Sequence, residues 1–494
     1  MKRLQKAIIA FLHIFLLLAC LCIVLFMRHL TEKNNPKMPA TPSQALEKTK
    51  ETEAETTQEA ESGQKAKEQP EITEKISEKP TPEKPYDSTE AVPDLPPTLM
   101  LASDLHYMSS DTHDDDIAFQ YFLETDDGKI SQHSDEIIDA LLEDALQTKP
   151  SALLLTGDIT LNGELENHRK LSEKLQTLQD AGVPVLVIPG NHDINNQNAA
   201  TYFGTERKET DYLKSREEFY EIYQEFGYNQ ALSQDEHSLS YLYELDETHW
   251  LLLLDSCQYE DYNHVNGKIR QETLTWMETQ LKLAADQEVQ VITAAHHNLL
   301  SESRLYTADC TLENHLDVIE LLERYEVPLY LSGHLHAQRI KKHLSEPGID
   351  PDSCSISEIV LSPYSLPPCQ YGMLTWDENN EMKFETKTAA FDFTKNLSEF
   401  SKTIIRNQVK KTISGVPDDL KEQMANLYAE IYYDYCAGNQ MSWNEIKDTR
   451  AYRLWERVAP DSIYVKEMRQ MVKDVRESQH EWAWTDVPHI IMNE

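Results

Sequence analysis

The sequence predicts an α/β body followed by a run of helices, with an apolar helix and a charged tether ahead of it. Three observations lead there. Between Pro97 and Lys387 short apolar runs alternate with amphipathic stretches, the texture of strands threaded between helices. After about Ala390 apolar residues recur at helical spacing and the strand pattern stops. Before Pro97 the chain is first almost unbrokenly apolar, then rich in Glu, Lys, Thr and Pro.

The first element is the run from Ala7 to Met27, interrupted only by His13 and preceded by Lys2, Arg3 and Lys6. About 20 apolar residues suffice to cross a bilayer as a helix. The run is also longer than the apolar core of most signal peptides. Residues 1–30 therefore read as a signal anchor or transmembrane helix. Leu17-Leu18-Ala19-Cys20 loosely resembles a lipoprotein box, but Leu21 to Met27 stay apolar where a lipid-anchored chain turns polar. Lipidation thus ranks second and a cleaved signal third. Arg28, Lys33 and Lys37 nearly balance the basic residues on the other side, so charge alone does not orient the helix. Signal-like starts usually export a large acidic mass, and the expectation is a single-pass protein of the cell membrane with its body outside the cytoplasm. Secretion or a lipid anchor is the alternative. Residues 31–97 cannot bury enough apolar surface to offset chain entropy and read as an extended, solvated tether.

The body, residues 98–390, has expected strands at Leu99–Ser103, Ala152–Thr156, Val183–Ile188, His249–Leu254, Val289–Ala294 and Val327–Leu331, with a further β-rich stretch over Ser355–Lys387. Helical patterns include Glu136–Leu146 and His168–Gln179. In the tail, residues 391–494, helical spacing covers Leu397–Ile413, Leu420–Cys436 and Tyr464–Val475, and Pro417 with Asp418 and Asp419 marks a helix start. Tyr428, Tyr432, Tyr433 and Tyr435 crowd the middle helix, where packing against the body is the favoured reading over a ligand surface.

Composition narrows the function. The 494 residues carry 46 Lys plus Arg against 85 Asp plus Glu, a formal charge of −39, which excludes a protein that coats nucleic acid. Seven cysteines in this length exclude a disulfide scaffold. Cys354 and Cys369 flank the late β-rich stretch as a possible pair, with isolated core thiols at least as well supported.

Five short motifs stand at or just beyond the C-terminal ends of expected strands: Asp104-Leu105-His106, Gly157-Asp158, Gly190-Asn191-His192-Asp193, His296-His297 and Gly333-His334-Leu335-His336. Ligands of open α/β sheets bind beyond the carboxyl ends of the strands. Two carboxylates, an amide and several imidazoles suit borderline divalent metals such as Mn²⁺, Fe²⁺ or Zn²⁺. The set is too large for one tetrahedral ion and fits two ions sharing a carboxylate. The absence of Cys weighs against a structural zinc site. His113 with Asp114–Asp116 follows no strand and reads as a solvated loop, and Asp193 as a loop acceptor.

In order and spacing these blocks resemble the calcineurin-like metallophosphoesterase superfamily, whose pattern is D-x-H, G-D, G-N-H-D/E, a lone H and G-H-x-H. Asp127-Gly128-Lys129, GDITLNG at 157–163, PGNHDIN at 189–195, Phe226-Gly227-Tyr228, SLSY at 238–241, AHHNL at 295–299 and SGHLHAQ at 332–338, together with the helical tail, resemble the Gram-positive bacterial cyclic-nucleotide phosphodiesterases of that superfamily. The resemblance implies a β-sandwich flanked by helices and a helical C-terminal domain. It implies that Asp104, His106, Asp158 and His336 hold one divalent ion, that Asp158, Asn191, His296 and His334 hold a second, and that His192 faces the reacting phosphate and helps the leaving oxygen. Two departures stand out: Leu161 replaces an Asp common after the Gly-Asp block, and His297 stands where Pro often follows the lone His. The activity implied is hydrolysis of a phosphodiester, a cyclic nucleotide first, by attack of a metal-bound hydroxide. A phosphomonoesterase or nucleotidase on the same scaffold is the alternative, and a non-catalytic surface binding module ranks third.

Overall fold

Runs of Leu, Ile and Val too continuous to alternate with polar residues become central strands here, because both of their faces are covered. The computed structural model describes residues 96–300, 303–306, 308–343, 356–389, 394–475, 481–485 and 489–491. The anchor expected at 1–30, the tether up to residue 95 and Cys354 lie outside them. Among the described residues no helix is long and apolar enough to cross a membrane.

Strands β1 (Thr98–Ala102), β2 (Ala152–Thr156) and β3 (Val185–Ile188) are parallel neighbours. Two strands, β4 (Ala200–Phe203) and β5 (Glu206–Glu209), form a separate antiparallel pair. The second sheet starts at its edge with β6 (Ser233–Gln234) and β7 (Tyr241–Glu244). It continues through the parallel β8 (His249–Leu254), β9 (Gln290–Ala295), β10 (Leu329–Ser332) and β12 (Ile356–Val360), and closes on β11 (Arg339–His343). The first sheet gains β13 (Gln370–Trp376) antiparallel to β1, then β14 (Met382–Thr388), β15 (Glu481–Thr485) and β16 (His489–Ile491).

Strand periodicity places the core. Leu251 and Leu253 of β8, Ile292 and Ala294 of β9, and Leu329 and Leu331 of β10 join Leu99, Leu101 and Leu154 of the other sheet in one buried cluster. Their alternates Leu252, Leu254, Val291, Ala295 and Tyr330 pack on the opposite face, with Met277 and Leu281 of helix Gln271–Asp286 and Val318 and Leu322 of helix His315–Arg324. Helices Ser134–Thr148 and Leu165–Asp180 add Ile137, Leu141, Leu171 and Leu175 to the first cluster.

The tail forms helices Thr394–Thr412, Asp418–Ala437, Trp443–Asp448, Arg450–Val458 and Ile463–Val475. Pro417 stands at the N-cap of the second, with Asp418 and Asp419 in its first turn, where the helix dipole favours acids. Met424, Tyr435, Trp455 and Met468 build a core of their own that also takes in Leu335, Ala337, Val360 and Leu366 of the body. Tyr428 donates to Glu467 and Tyr433 meets Ser398, so these rings serve packing between helices. The expectation that strands end near Ala390 is corrected by β15 and β16, which return to the first sheet. Glu481-Trp482-Ala483-Trp484-Thr485 alternates with period two and carries aromatic residues, a strand signal overshadowed by the helices before it. Cys257, Cys310, Cys369 and Cys436 are free thiols.

Candidate metal centre

Because β1, β2 and β3 run parallel, whatever follows each of them emerges at the same edge, and the same holds for β9 and β10. The chain must turn sharply there. Asp104, His106, Asp158, His334 and His336 all have left-handed backbones, with φ of 52°, 41°, 48°, 66° and 55°. Non-glycine residues hold such angles at a cost on the order of 1–3 kcal/mol each and do so mainly where a site is being shaped. The turns are tied to one another: the Asp104 N–H donates to the Gly157 carbonyl at 3.1 Å and the His106 N–H to the Asp158 carbonyl at 2.9 Å. Gly190 and Gly333 allow the approach, since a Cβ on the first would lie 2.1 Å from the Asp158 nitrogen and on the second 1.8 Å from Ser103 Oγ.

Two groups of donors result. Asp104, His106, Asp158 and His336 form one, Asp158, His296 and His334 the other, and within each group the ligand atoms lie within 4.8 Å of one another. Asp158 belongs to both. His106 Nε2 is 3.0 Å from His336 Nε2 and 3.9 Å from Asp158 Oδ2, and His336 Nε2 is 3.4 Å from Asp104 Oδ1. His296 Nε2 lies 3.2 Å from Asp158 Oδ2 and 3.2 Å from Asn191 Oδ1, which brings the amide into the second group.

Donor chemistry fits divalent cations. His296 Nδ1 donates to the Thr156 carbonyl at 2.9 Å, which leaves its Nε2 lone pair facing the two oxygens. His334 Nε2 donates to the Asp309 carbonyl at 2.9 Å, which leaves Nδ1 as its donor atom. Facing lone pairs on buried imidazoles and carboxylates repel one another unless protons or cations lie between them. The protonation pattern carries that demand. Burial pulls the His296 imidazole down, but the charge of Asp158 outweighs it and the pKa rises to about 9. For His336 burial is likewise outweighed, by hydrogen bonds to Asp104 and Asp127, and the pKa rises to about 10. Burial would raise the Asp158 carboxyl, yet the surrounding His296 and His192 hold it well below the usual carboxylate range.

His192 sits on the rim with its side chain 32% exposed and Nε2 4.0 Å from Asp158 Oδ2. Its Nδ1 donates to the Leu161 carbonyl at 2.6 Å and its backbone N–H to Asp158 Oδ1 at 2.7 Å. The position where Asp gives way to Leu161 thus acts through its backbone. His297 packs on His334 with ring centroids 4.5 Å apart, but both of its nitrogens are engaged elsewhere: Nδ1 meets Ser256 Oγ at 2.8 Å and Nε2 the Val265 carbonyl at 2.9 Å. Asp193 accepts from the backbones of Ile159, Thr160 and Gly190 and from Thr160 Oγ1. His113 stacks on Phe119 at 3.8 Å, while Asp114 and Asp116 cap the following turn and helix. Asp127 of the Asp127-Gly128-Lys129 motif, which carries no role in the sequence pattern, lies with Oδ2 3.1 Å from His336 Nδ1.

A profile of the family described as calcineurin-like phosphoesterase matches residues 97–338, the stretch that carries every donor named above. Residues 97–338 are a calcineurin-like phosphoesterase domain. The chain is 25% identical over 197 residues to a protein of Xenorhabdus bovienii named as a probable cyclic nucleotide phosphodiesterase, an overlap of 40% of this chain and 65% of that one. Over 193 residues the chain is 29% identical to a probable glycerophosphodiester phosphodiesterase of Arcobacter nitrofigilis, covering 39% of this chain and 58% of the relative. The chain thus spans less than two thirds of either relative's length. Among solved structures, a dimetal phosphatase from Danio rerio aligns at 15% identity and a TM-score of 0.43, over 60% of this chain and 98% of that one.

Proposed function

We propose that this chain is a dinuclear-metal phosphoesterase that hydrolyses a phosphodiester, with a cyclic nucleotide as its first substrate class. The observation that carries the reading is the pair of donor groups sharing Asp158 at the carboxyl ends of adjacent strands. The family match supports hydrolysis of phosphate esters, and the two relatives, both named as probable phosphodiesterases, support a diester. Asp104, His106, Asp158 and His336 would hold one divalent ion, and Asp158, Asn191, His296 and His334 the other. Bound there, such ions lower the pKa of water and neutralise phosphate oxygens. The rest is done by the chain. His192, anchored through Nδ1 on Leu161, presents Nε2 at the rim and gives a proton to the departing oxygen. Asp104, His106, Asp158 and His296 are buried, and low-dielectric surroundings strengthen each charge–charge contact.

We also read residues 1–30 as an anchor that keeps the domain at the outer face of the cell membrane, supported by the apolar run Ala7–Met27. Protease accessibility on intact cells tests that placement.

Metal analysis of the full chain in detergent, with a screen of cyclic nucleotides, nitrophenyl diesters, nitrophenyl phosphate and nucleoside monophosphates, tests the function. Two ions per chain and diester turnover above monoester turnover are expected. Asp158→Ala should lose both ions and nearly all turnover. A monoester preference would make the chain a phosphomonoesterase or nucleotidase. Two ions with no turnover on any ester would make it a binding module.

A further inference from the structure

Asp126–Lys129 is a loop of the body that contributes no metal donor yet touches His336. A carboxylate only accepts, so Asp127 Oδ2 at 3.1 Å makes His336 Nδ1 the protonated nitrogen when Nε2 serves as the ligand atom. Asp127 is itself held by Lys129 Nζ at 2.6 Å, and Lys129, buried, also reaches Asp126 at 3.4 Å. The loop therefore brings its own cation to fix the carboxylate.

Helix Thr394–Thr412 of the tail grips this loop from outside. Gln408 Nε2 donates to the Asp126 carbonyl at 2.6 Å and to the Glu124 carbonyl at 3.2 Å. Gly128, at φ +97°, lies so close to the helix that a Cβ there would meet Ser401 Oγ at 2.7 Å. On the other side of His336, the Gln338 N–H donates to the Cys436 carbonyl at 3.0 Å, at the end of helix Asp418–Ala437. The second donor group meets the tail elsewhere: His296 and His334 rest on the body carbonyls of Thr156 and Asp309, and the loop that carries Asp309 touches helix Ile463–Val475, where Asp474 accepts from the Arg304 N–H at 3.0 Å.

We propose that helix Thr394–Thr412 of the tail positions one of the two metal groups, acting through Asp127 on His336, with Asp127 and Lys129 as positioning residues. The inference rests on the two-metal reading above and gives the tail a task within it. A carboxylate behind a ligand imidazole fixes ring and tautomer, and its loss typically weakens metal binding about 10–100-fold.

The test is calorimetric titration of Mn²⁺ into the metal-free full chain in detergent, for the parent, Asp127→Ala, Asp127→Asn and Gln408→Ala. His334→Ala identifies the step of the isotherm that belongs to the other group. Asp127→Ala should weaken only the His336 step, by about 10–100-fold. Asp127→Asn, which keeps an oxygen acceptor for Nδ1–H, should recover part of the loss. Gln408→Ala, far from every donor, should weaken the same step by less and leave the other untouched. Equal losses in both steps, or unchanged isotherms, would overturn the proposal. Should Asp127→Ala fail to fold, Gln408→Ala decides alone. A parent that binds fewer than two ions would overturn the two-metal reading instead.

Discussion

At His192 the structure separates two roles that a sequence motif leaves merged. The backbone N–H is tied to Asp158 and Nδ1 to the Leu161 carbonyl, so the ring is oriented by groups other than Asn191. On this partly exposed side chain, Nε2 is the atom left for a substrate. A proton donor helps a poor leaving group such as a nucleoside alkoxide far more than a nitrophenolate. We predict that His192→Ala keeps its metal content and loses about 10²–10⁴-fold in turnover of a cyclic nucleotide, the range general acid–base groups contribute, with a smaller loss on a nitrophenyl diester. Turnover of both esters at saturating metal is the measurement. Equal fractional losses would rule the proton donor out. Asn191 and His296 meet at 3.2 Å although 105 positions separate them in sequence, a pairing that only the parallel order of the strands creates.

Among the elements, the loops after β2 and β3 behave as one piece. Asp193 draws four donors from both loops onto a single buried carboxylate, and the His168 ring adds a contact to the Asp193 carbonyl at 3.0 Å. Removing that carboxylate leaves several buried donors unpaired, each worth about 1–3 kcal/mol. We predict that Asp193→Ala destabilises the fold by about 3 kcal/mol or more, read from urea unfolding, and that Asp193→Asn loses less because one oxygen remains. A loss below about 1 kcal/mol would show that the loops are held elsewhere. The central strands were legible because Ala152–Thr156, His249–Leu254 and the others are apolar throughout. The short strands β4 to β7 were not, since Glu206–Glu209, for one, is charged at every position and pairs only because β4 lies beside it.

For the whole molecule, the composition change near Pro97 coincides with the start of β1 at Thr98, and β1 is central in its sheet, between β13 and β2. We predict that residues 98–494 fold, stay soluble and keep their metals without the first 97. Circular dichroism and metal analysis of that shortened chain check it. Aggregation with loss of helix and sheet signal, unrelieved by refolding with metal, would place part of the fold upstream. The tail belongs in such a chain, because Leu335, Ala337, Val360 and Leu366 of the body are buried in the core of the C-terminal helices.

What the sequence by itself determined is local: which runs are apolar enough to be central strands, that a helix starts at Pro417, and which short motifs follow strand ends. These depend on residues a few positions apart, and periodicity and turn chemistry act over that range. Tertiary structure decided what depends on distant partners. Of two adjacent buried histidines, His296 faces Asp158 with Nε2, whereas Ser256 and Val265 occupy both nitrogens of His297. Asp127 meets His336 across 209 positions, and Gln408 reaches Asp126 across 282. No pattern in one dimension encodes such contacts. They arise when the buried faces of β1 to β3, β8 to β10 and the tail helices satisfy their apolar surface together, and the polar groups left at the strand ends are brought within bonding distance.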